Sequence, residues 1–141
     1  MSDARFFLDT NVFVYSFDPD EPNKARIAES LITRGLTSGL GVISYQVAQE
    51  FTNVALKQFA GTMTHADLER YFLRALFPLM KVSPSGSLFL QALHLQAASR
   101  ISWYDSLIIA AALQGECNVL YSEDFQQGQR FGKLVVQNPF R

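Results

Sequence analysis

The sequence has few of the features that mark a secreted protein, a membrane protein or a zinc protein. Its 141 residues include one cysteine, Cys117, which excludes a disulfide within the chain and a cysteine-based zinc cluster. The longest uninterrupted apolar run is seven residues, 107–113, whereas a membrane-spanning helix needs about 20. The first residues lack the charged and then apolar layout of a signal peptide. We therefore expect a soluble, cytoplasmic protein with no membrane partner.

Neither positive nor negative charge dominates the composition. Lys and Arg total 12, Asp and Glu total 13, and the formal net charge is -1, so bulk charge does not indicate a nucleic-acid binder. Because 48% of the residues are hydrophobic and only 18% are charged, a disordered chain is excluded. Chains usually divide into domains only above roughly 250 residues. With no repeat, low-complexity tract or linker, we expect residues 1–141 to form a single domain.

Short apolar segments alternate with helical patterns along the chain. The predicted strands are residues 5–8, 40–43, 79–82, 118–121 and 133–136. The predicted helices are 24–34, ended by Gly35; 44–59, capped by Ser44; 64–78, begun by Thr64 and ended by Pro78; 87–99; and a strongly apolar helix from Ser102 to Gly115. This alternation predicts an α/β domain with a mainly parallel sheet. Ligands bind such sheets at the carboxyl ends of the strands.

Four acidic residues fall where the pattern predicts a strand end or a buried face. Asp9 directly follows the first predicted strand, and Asp124 lies just past the strand 118–121. Asp105 lies in the first turn of the most apolar helix. Glu50 borders the apolar stripe of its helix, three residues after Val47 and four before Val54.

Each acid, taken alone, also fits an ordinary structural role. Asp9 could be a turn or cap residue, and Asp105 could form a capping box with Ser102. Glu50 could be a solvated residue at the edge of its stripe, and Asp124 could be loop polarity beside Glu123. The functional interpretation therefore depends on the four acids as a set.

Four carboxylates in one crevice would repel one another, and a divalent cation would relieve that repulsion. Oxygen-only ligands suit Mg²⁺ or Mn²⁺. Zinc is disfavoured because His65, His94 and Cys117 are not at ligand spacing. Acids holding Mg²⁺ indicate phosphodiester or phosphoryl chemistry.

At these acids the sequence resembles the PIN-domain nucleases and, within them, the VapC-type toxins of toxin–antitoxin pairs. The resemblance extends from Phe6 to Val136 and is carried by four segments in order: Phe7-Leu8-Asp9-Thr10-Asn11, Gln49-Glu50-Phe51, Trp103-Tyr104-Asp105-Ser106-Leu107-Ile108 and Leu120-Tyr121-Ser122-Glu123-Asp124-Phe125.

The resemblance implies a three-layer α/β/α domain that binds Mg²⁺ or Mn²⁺ and cleaves RNA. It assigns the four acids of the pocket, with Asp124 preferred to Glu123 because Asp124 lies two residues after Ser122, and it assigns helpers that orient the acids or the water. The acids are Asp9, Glu50, Asp105 and Asp124, and the helpers are Thr10 or Asn11, and Ser122. It also implies a small antitoxin that covers the pocket, and a homodimer.

Two other functions were compared with this expectation. A phosphatase with an aspartyl nucleophile, resembling the haloacid dehalogenase group, needs a second Asp two residues after Asp9, but Asn11 stands there. A PIN-like module kept for binding protein or RNA, with little catalysis, remains the alternative. If four of the 13 acids surround a metal, nine acids face 12 basic residues elsewhere. Such a weakly basic surface is compatible with an RNA backbone and equally with an acidic peptide.

Overall fold

The structure, a computed structural model that describes residues 4–141, is built on one six-stranded sheet with the strand order β3-β2-β1-β4-β6-β5. The strands are β1 (Arg5–Leu8), β2 (Gly41–Ser44), β3 (Met80–Val82), β4 (Cys117–Tyr121), β5 (Arg130–Phe131) and β6 (Leu134–Gln137). All neighbouring strands are parallel except β5, which pairs antiparallel with β6. The predicted α/β class with a mainly parallel sheet is confirmed.

Within residues 4–141, seven α-helices connect these strands in a three-layer α/β/α arrangement. The helices are α1 (Thr10–Tyr15), α2 (Pro22–Ser38), α3 (Tyr45–Gln58), α4 (His65–Tyr71), α5 (Phe77–Leu79), α6 (Gly86–Ser99) and α7 (Trp103–Gln114), and a π-helical turn (Phe72–Leu76) joins α4 to α5. Helix α1 packs on α2 and α3, and α6 packs on α7. Within residues 4–141, no helix combines the length and apolar character that a membrane crossing requires.

Serine and threonine side chains cap the starts of three predicted helices. The hydroxyl groups of Ser44, Thr64 and Ser102 accept hydrogen bonds from the backbone N–H three residues on, at 3.4, 3.1 and 3.1 Å. At α4 the Asp67 carboxylate also accepts from the Thr64 N–H at 2.9 Å, which completes a capping box. These three predicted helix starts are confirmed.

Two predicted helix ends are wrong. Gly35 does not end α2 but lies buried inside it, where a Cβ atom would be 3.1 Å from the Cα of Gly41. The helix ends at Gly39, whose φ of +74° suits a residue without a side chain. Pro78 does not end the third predicted helix either, because it lies in the first turn of α5, a position at which proline is tolerated.

Two short elements were not predicted. Helix α1 occupies a segment rich in β-branched and aromatic residues, and strand β5 lies between the predicted strands 118–121 and 133–136. Helix α1 forms because the Asp9 side chain caps it and because Val12 and Phe13 are fully buried. Strand β5 is a two-residue hairpin partner of β6.

The order of the strands creates a crevice beside β1. From β1 the chain proceeds outward to β2 and then to β3, and it returns through α6 and α7 to form β4 on the other side of β1. The connections from the two central strands therefore diverge at the carboxyl ends of β1 and β4. This point of divergence is where open parallel sheets bind their ligands.

Candidate active site

Asp9 lies at the carboxyl end of β1, and its carboxylate is held on both oxygens. The backbone N–H of Thr10 donates to Oδ1 at 2.7 Å, so Asp9 caps α1. The hydroxyl of Ser122, which follows β4, donates to Oδ2 at 2.7 Å. Only 4% of Asp9 is exposed. The local cap role considered for this residue is therefore real, and it coexists with a contact between the two central strands.

Burial raises the pKa of Asp9 from 3.8 to about 7. The hydrogen bonds from Ser122 and Thr10 oppose this rise, while the negative charges of Asp124 and Glu50 add to it. A cation beside Asp9 would lower its pKa, because a positive charge favours the ionised form. Without a cation, the environment of Asp9 therefore disfavours the ionised form of its carboxyl group.

Ser122 connects three of the predicted site residues. Its buried hydroxyl donates to Asp9 and accepts from the Asp124 backbone N–H at 3.1 Å and from Asn11 Nδ2 at 3.4 Å. The other end of the Asn11 amide, Oδ1, is buried without a hydrogen-bond partner among residues 4–141. A buried carbonyl oxygen of this kind needs a proton donor or a cation.

Glu50 lies on α3 and faces the same crevice. Thr10 Oγ1 donates to Glu50 Oε1 at 2.6 Å, and Gln46 Nε2 donates to Glu50 Oε2 at 3.1 Å. Gln46 Nε2 also donates to the backbone oxygen of Tyr104 at 3.3 Å. Sequence reasoning did not single out Gln46, although it lies four residues before Glu50, the spacing that brings two helical side chains together.

Asp105 lies in the first turn of α7. Its backbone N–H donates to the Ser102 hydroxyl, so the predicted cap forms through the main chain. Partial burial is the largest cause that raises the pKa of Asp105; a hydrogen bond from Ser102 lowers it, and the charges of Asp124 and Glu50 raise it further. The four predicted acids therefore form one electrostatically coupled group.

Glu123, the neighbour of Asp124, has different partners. The Tyr15 hydroxyl donates to Glu123 Oε1 at 2.5 Å, and Lys24 Nζ lies 3.3 Å from Oε2. Glu123 is therefore neutralised by an ammonium group, whereas the exposed Asp124 is coupled to Asp9 and Asp105. Tyr15 and Lys24 were not predicted at the site, and no spacing in the sequence connects them to Glu123.

An open pocket of about 520 Å³ lies over these residues. The residues that line it are Thr10, Asn11, Val14, Tyr15, Glu50, Asn53, Val54, Glu123 and Asp124. Asp9 is buried, and Asp105 is outside this lining. A larger cleft of about 930 Å³ shares Val14 with the pocket and is bordered by Phe17, Phe59 and Tyr71.

The donor chemistry at the site fits a hard divalent cation. The four acids and Asn11 Oδ1 offer oxygen atoms alone, and the charges of Glu50 and Asp124 raise the pKa values of Asp9 and Asp105. Zinc does not fit, because His65 and His94 are exposed and Cys117 is buried in the core. Among the residues described, however, no three His, Cys, Asp or Glu side chains converge closely enough to hold a metal in this conformation.

The sequence matches the family model of the PIN domain over residues 6–130. The chain belongs to the PIN-domain family. PIN domains are generally nucleases, and PIN nucleases generally use divalent metal ions. The predicted family and the predicted α/β/α architecture are thus confirmed.

A solved structure also matches this PIN domain. It is described as a toxin–antitoxin complex from Klebsiella pneumoniae, with a TM-score of 0.66, 16% sequence identity, and coverage of 94% of this chain and 96% of that chain. At this identity the similarity concerns the fold. A comparison with curated proteins finds no match.

Proposed function

We propose that this PIN domain is an Mg²⁺- or Mn²⁺-dependent endoribonuclease that hydrolyses RNA phosphodiesters through Asp9, Glu50, Asp105 and Asp124. The observation that carries the proposal is the buried Asp9 carboxyl. It is held by Ser122 and Thr10 at the carboxyl ends of the two central strands, and it is coupled electrostatically to Glu50 and Asp124. The membership of the PIN family supports this interpretation.

The four acids would hold the cation, and three polar side chains would orient them. Thr10 fixes Glu50, Ser122 fixes Asp9, and the free carbonyl oxygen of Asn11 is available to a ligand or a water. When bound, a divalent cation supplies Lewis-acid activation of water and neutralises charge on the phosphodiester. A bound cation would lower the pKa of Asp9 from its metal-free value of about 7, so Asp9 would hold the cation as a carboxylate.

RNA is the proposed substrate, and a small antitoxin is the proposed partner. If the four acids surround a cation, nine acids face 12 basic residues on the rest of the chain. A weakly basic surface is compatible with a phosphate backbone. The similarity to a toxin–antitoxin complex supports a role as the toxin of a type II pair.

We further propose that the protein acts in the cytoplasm, where RNA is available, and forms a homodimer.

The antitoxin would inhibit by covering the pocket. A basic side chain placed among the four acids would displace the cation, because both neutralise the same charges. This mechanism predicts that complex formation and Mn²⁺ binding compete. A structure of the complex in which the acids remain uncovered would exclude it.

The test of the proposed function is RNA cleavage with Mg²⁺ or Mn²⁺ by the wild-type protein and the Asp105→Asn variant. Asn weakens cation binding, while the cap of α7 survives because the Asp105 backbone N–H forms it. We expect cleavage to fall at least about 100-fold. The chelator EDTA should abolish cleavage by the wild type.

Asp67→Asn is the matched control for this test. Asp67 occupies the same position in α4 that Asp105 occupies in α7, the third residue after a hydroxyl cap. This variant should cut RNA at the wild-type rate even though it weakens a real capping box. Equal activity of Asp105→Asn and wild type would exclude the acid pocket as the catalytic site. Tight partner binding with no cleavage under either metal would favour the binding-module alternative.

A further inference from the structure

Gln46 lies beside Glu50 and beside the turn that carries Asp105, and it has no role in the function proposed above. Its side-chain nitrogen, Nε2, lies 3.1 Å from Glu50 Oε2 and 3.3 Å from the backbone oxygen of Tyr104. A glutamine amide carries two hydrogens on this nitrogen, so both bonds form at once. Gln46 is half-buried, and it borders, with Tyr104, a small cavity of about 200 Å³ between α3 and α7.

These two bonds join two of the candidate acids through one amide group. Glu50 lies on α3, one turn after Gln46, and Tyr104 directly precedes Asp105 in the first turn of α7. The distance between Glu50 and Asp105 is therefore connected to the geometry of a single side chain. Glu50 and Asp105 themselves lie on two helices that are far apart in the sequence.

Glu50 needs a hydrogen-bond donor on each carboxylate oxygen, because a single donor does not fix the orientation of the carboxylate. The last torsion of a Glu side chain is broad, so a carboxylate held on one oxygen can still turn about its terminal bond. Thr10 Oγ1 holds Oε1 at 2.6 Å, and Gln46 holds Oε2. With a donor on each oxygen, the plane of the carboxylate is defined.

Glutamine also suits this position by its charge. An Arg or Lys here would donate to Glu50 but would add a positive charge that competes with a bound cation. An ionised Asp or Glu could not donate at all. A neutral amide orients the carboxylate and leaves its negative charge available.

We propose that Gln46 is a positioning residue that sets the plane of the Glu50 carboxylate and its separation from Asp105. The consequence for cation binding rests on the proposed function, whereas the orientation of Glu50 does not. Gln46 touches neither the substrate nor the reacting atoms in this scheme; it acts through Glu50.

The test compares Gln46→Met with the wild type and with Gln49→Met. Met retains the length of Gln but cannot donate, so both bonds are lost with little change in packing. Gln49 is exposed on the same helix, three residues on, and its replacement leaves both Gln46 bonds intact. Mn²⁺ binding is measured by electron paramagnetic resonance in the absence of RNA, and metal-free crystal structures report the Glu50 conformation.

We expect Gln46→Met to bind Mn²⁺ about 10-fold more weakly than the wild type, and Gln49→Met to bind it equally well. The Glu50 carboxylate should leave its wild-type orientation in the metal-free crystals of Gln46→Met. Saturating Mn²⁺ should restore most of the cleavage rate, a recovery that a folding defect would not show. Unchanged Mn²⁺ affinity or an unmoved Glu50 would overturn the proposal.

Failure of the proposed function has a different signature. In that case the wild type itself would bind no Mn²⁺ and cut no RNA. The metal-free crystals would still decide the role of Gln46, because a displaced Glu50 supports the positioning role and an unmoved Glu50 removes it.

Discussion

Asp9 receives two hydrogen bonds that favour its charged form, yet its pKa is raised to about 7 because the carboxyl group is buried. Desolvation is the largest cause, and the neighbouring acids add to it. The sequence predicts a carboxylate at this strand end, but the degree to which the carboxylate is buried depends on how α1 and β4 pack around it. The size of the pKa shift is therefore a property of the tertiary structure.

The raised pKa of Asp9 predicts a pH-dependent stability for the metal-free protein. The folded form keeps the Asp9 proton up to about pH 7, while the unfolded chain loses it near its ordinary value of 3.8. The folded form thus binds more protons in this interval, and its stability falls as the pH rises through it. Between pH 5 and pH 8 the wild type should lose roughly 2 kcal/mol that Asp9→Asn does not lose.

Urea unfolding at both pH values, in EDTA, measures this difference. Asp67→Asn is the control without an effect in this interval: hydrogen bonds from Thr64 lower the pKa of Asp67 from 3.8, so the stabilisation by Asp67 is lost only at pH values below that, and this variant should lose stability between pH 5 and pH 8 in parallel with the wild type. If the wild type and Asp9→Asn lose stability in parallel between pH 5 and pH 8, Asp9 is ionised in the folded protein and the burial argument is wrong.

At the scale of secondary structure, the helix starts with a hydroxyl cap could be predicted, whereas two of the helix ends could not. A hydroxyl cap acts on a backbone N–H three residues away, so the signal is local and Ser44, Thr64 and Ser102 carry it in the sequence. In the sequence, Gly35 is typical of a helix end. In the structure it lies inside α2, and the absence of a side chain allows its backbone to approach Gly41 at the start of β2. A contact of this kind leaves no periodic pattern.

The contact between α2 and β2 predicts that Gly41→Ala destabilises the protein. The added Cβ would lie 2.6 Å from the Gly35 Cα and 2.9 Å from Leu79 Cδ2, so the backbone of one element must move. We expect the free energy of unfolding to fall by about 2 kcal/mol or more in urea titrations. Gly86→Ala, at the first residue of α6 with open space around it, should change stability little or raise it. If Gly41→Ala and Gly86→Ala had similar free energies of unfolding, α2 and β2 could move apart at little cost and the prediction would be wrong.

At the scale of the whole molecule, the order β2-β1-β4-β6 brings Asp9, Ser122 and Asp124 to one edge of the sheet. Helices α3 and α7 then contribute Glu50 and Asp105 from segments far apart in sequence. Because the acids come from separate elements, a cation that binds them all should hold the folded state together. An unfolded chain offers no such arrangement.

This coupling predicts that Mn²⁺ stabilises the folded protein. At a free Mn²⁺ concentration 100 times the Kd, the free energy of unfolding should rise by about 2.7 kcal/mol. Thermal unfolding with and without Mn²⁺, at constant ionic strength, measures the effect. Asp105→Asn at the same Mn²⁺ concentration should gain much less. An unchanged unfolding temperature for the wild type would mean that the acids do not bind the ion in the folded state.

The sequence by itself determined the α/β class, the three hydroxyl-capped helix starts and the family, because strand–helix alternation, hydroxyl caps and ordered motifs are local patterns. It also selected Asp9, Glu50, Asp105 and Asp124 as a set, a prediction that the cleavage assay tests. The tertiary structure alone decided which polar groups hold those acids: Gln46 on Glu50, Ser122 on Asp9, and Lys24 and Tyr15 on Glu123. Except for the contact of Gln46 with Glu50, these contacts join residues distant in the sequence, and only the order of the strands and the packing of the helices bring them within hydrogen-bonding distance.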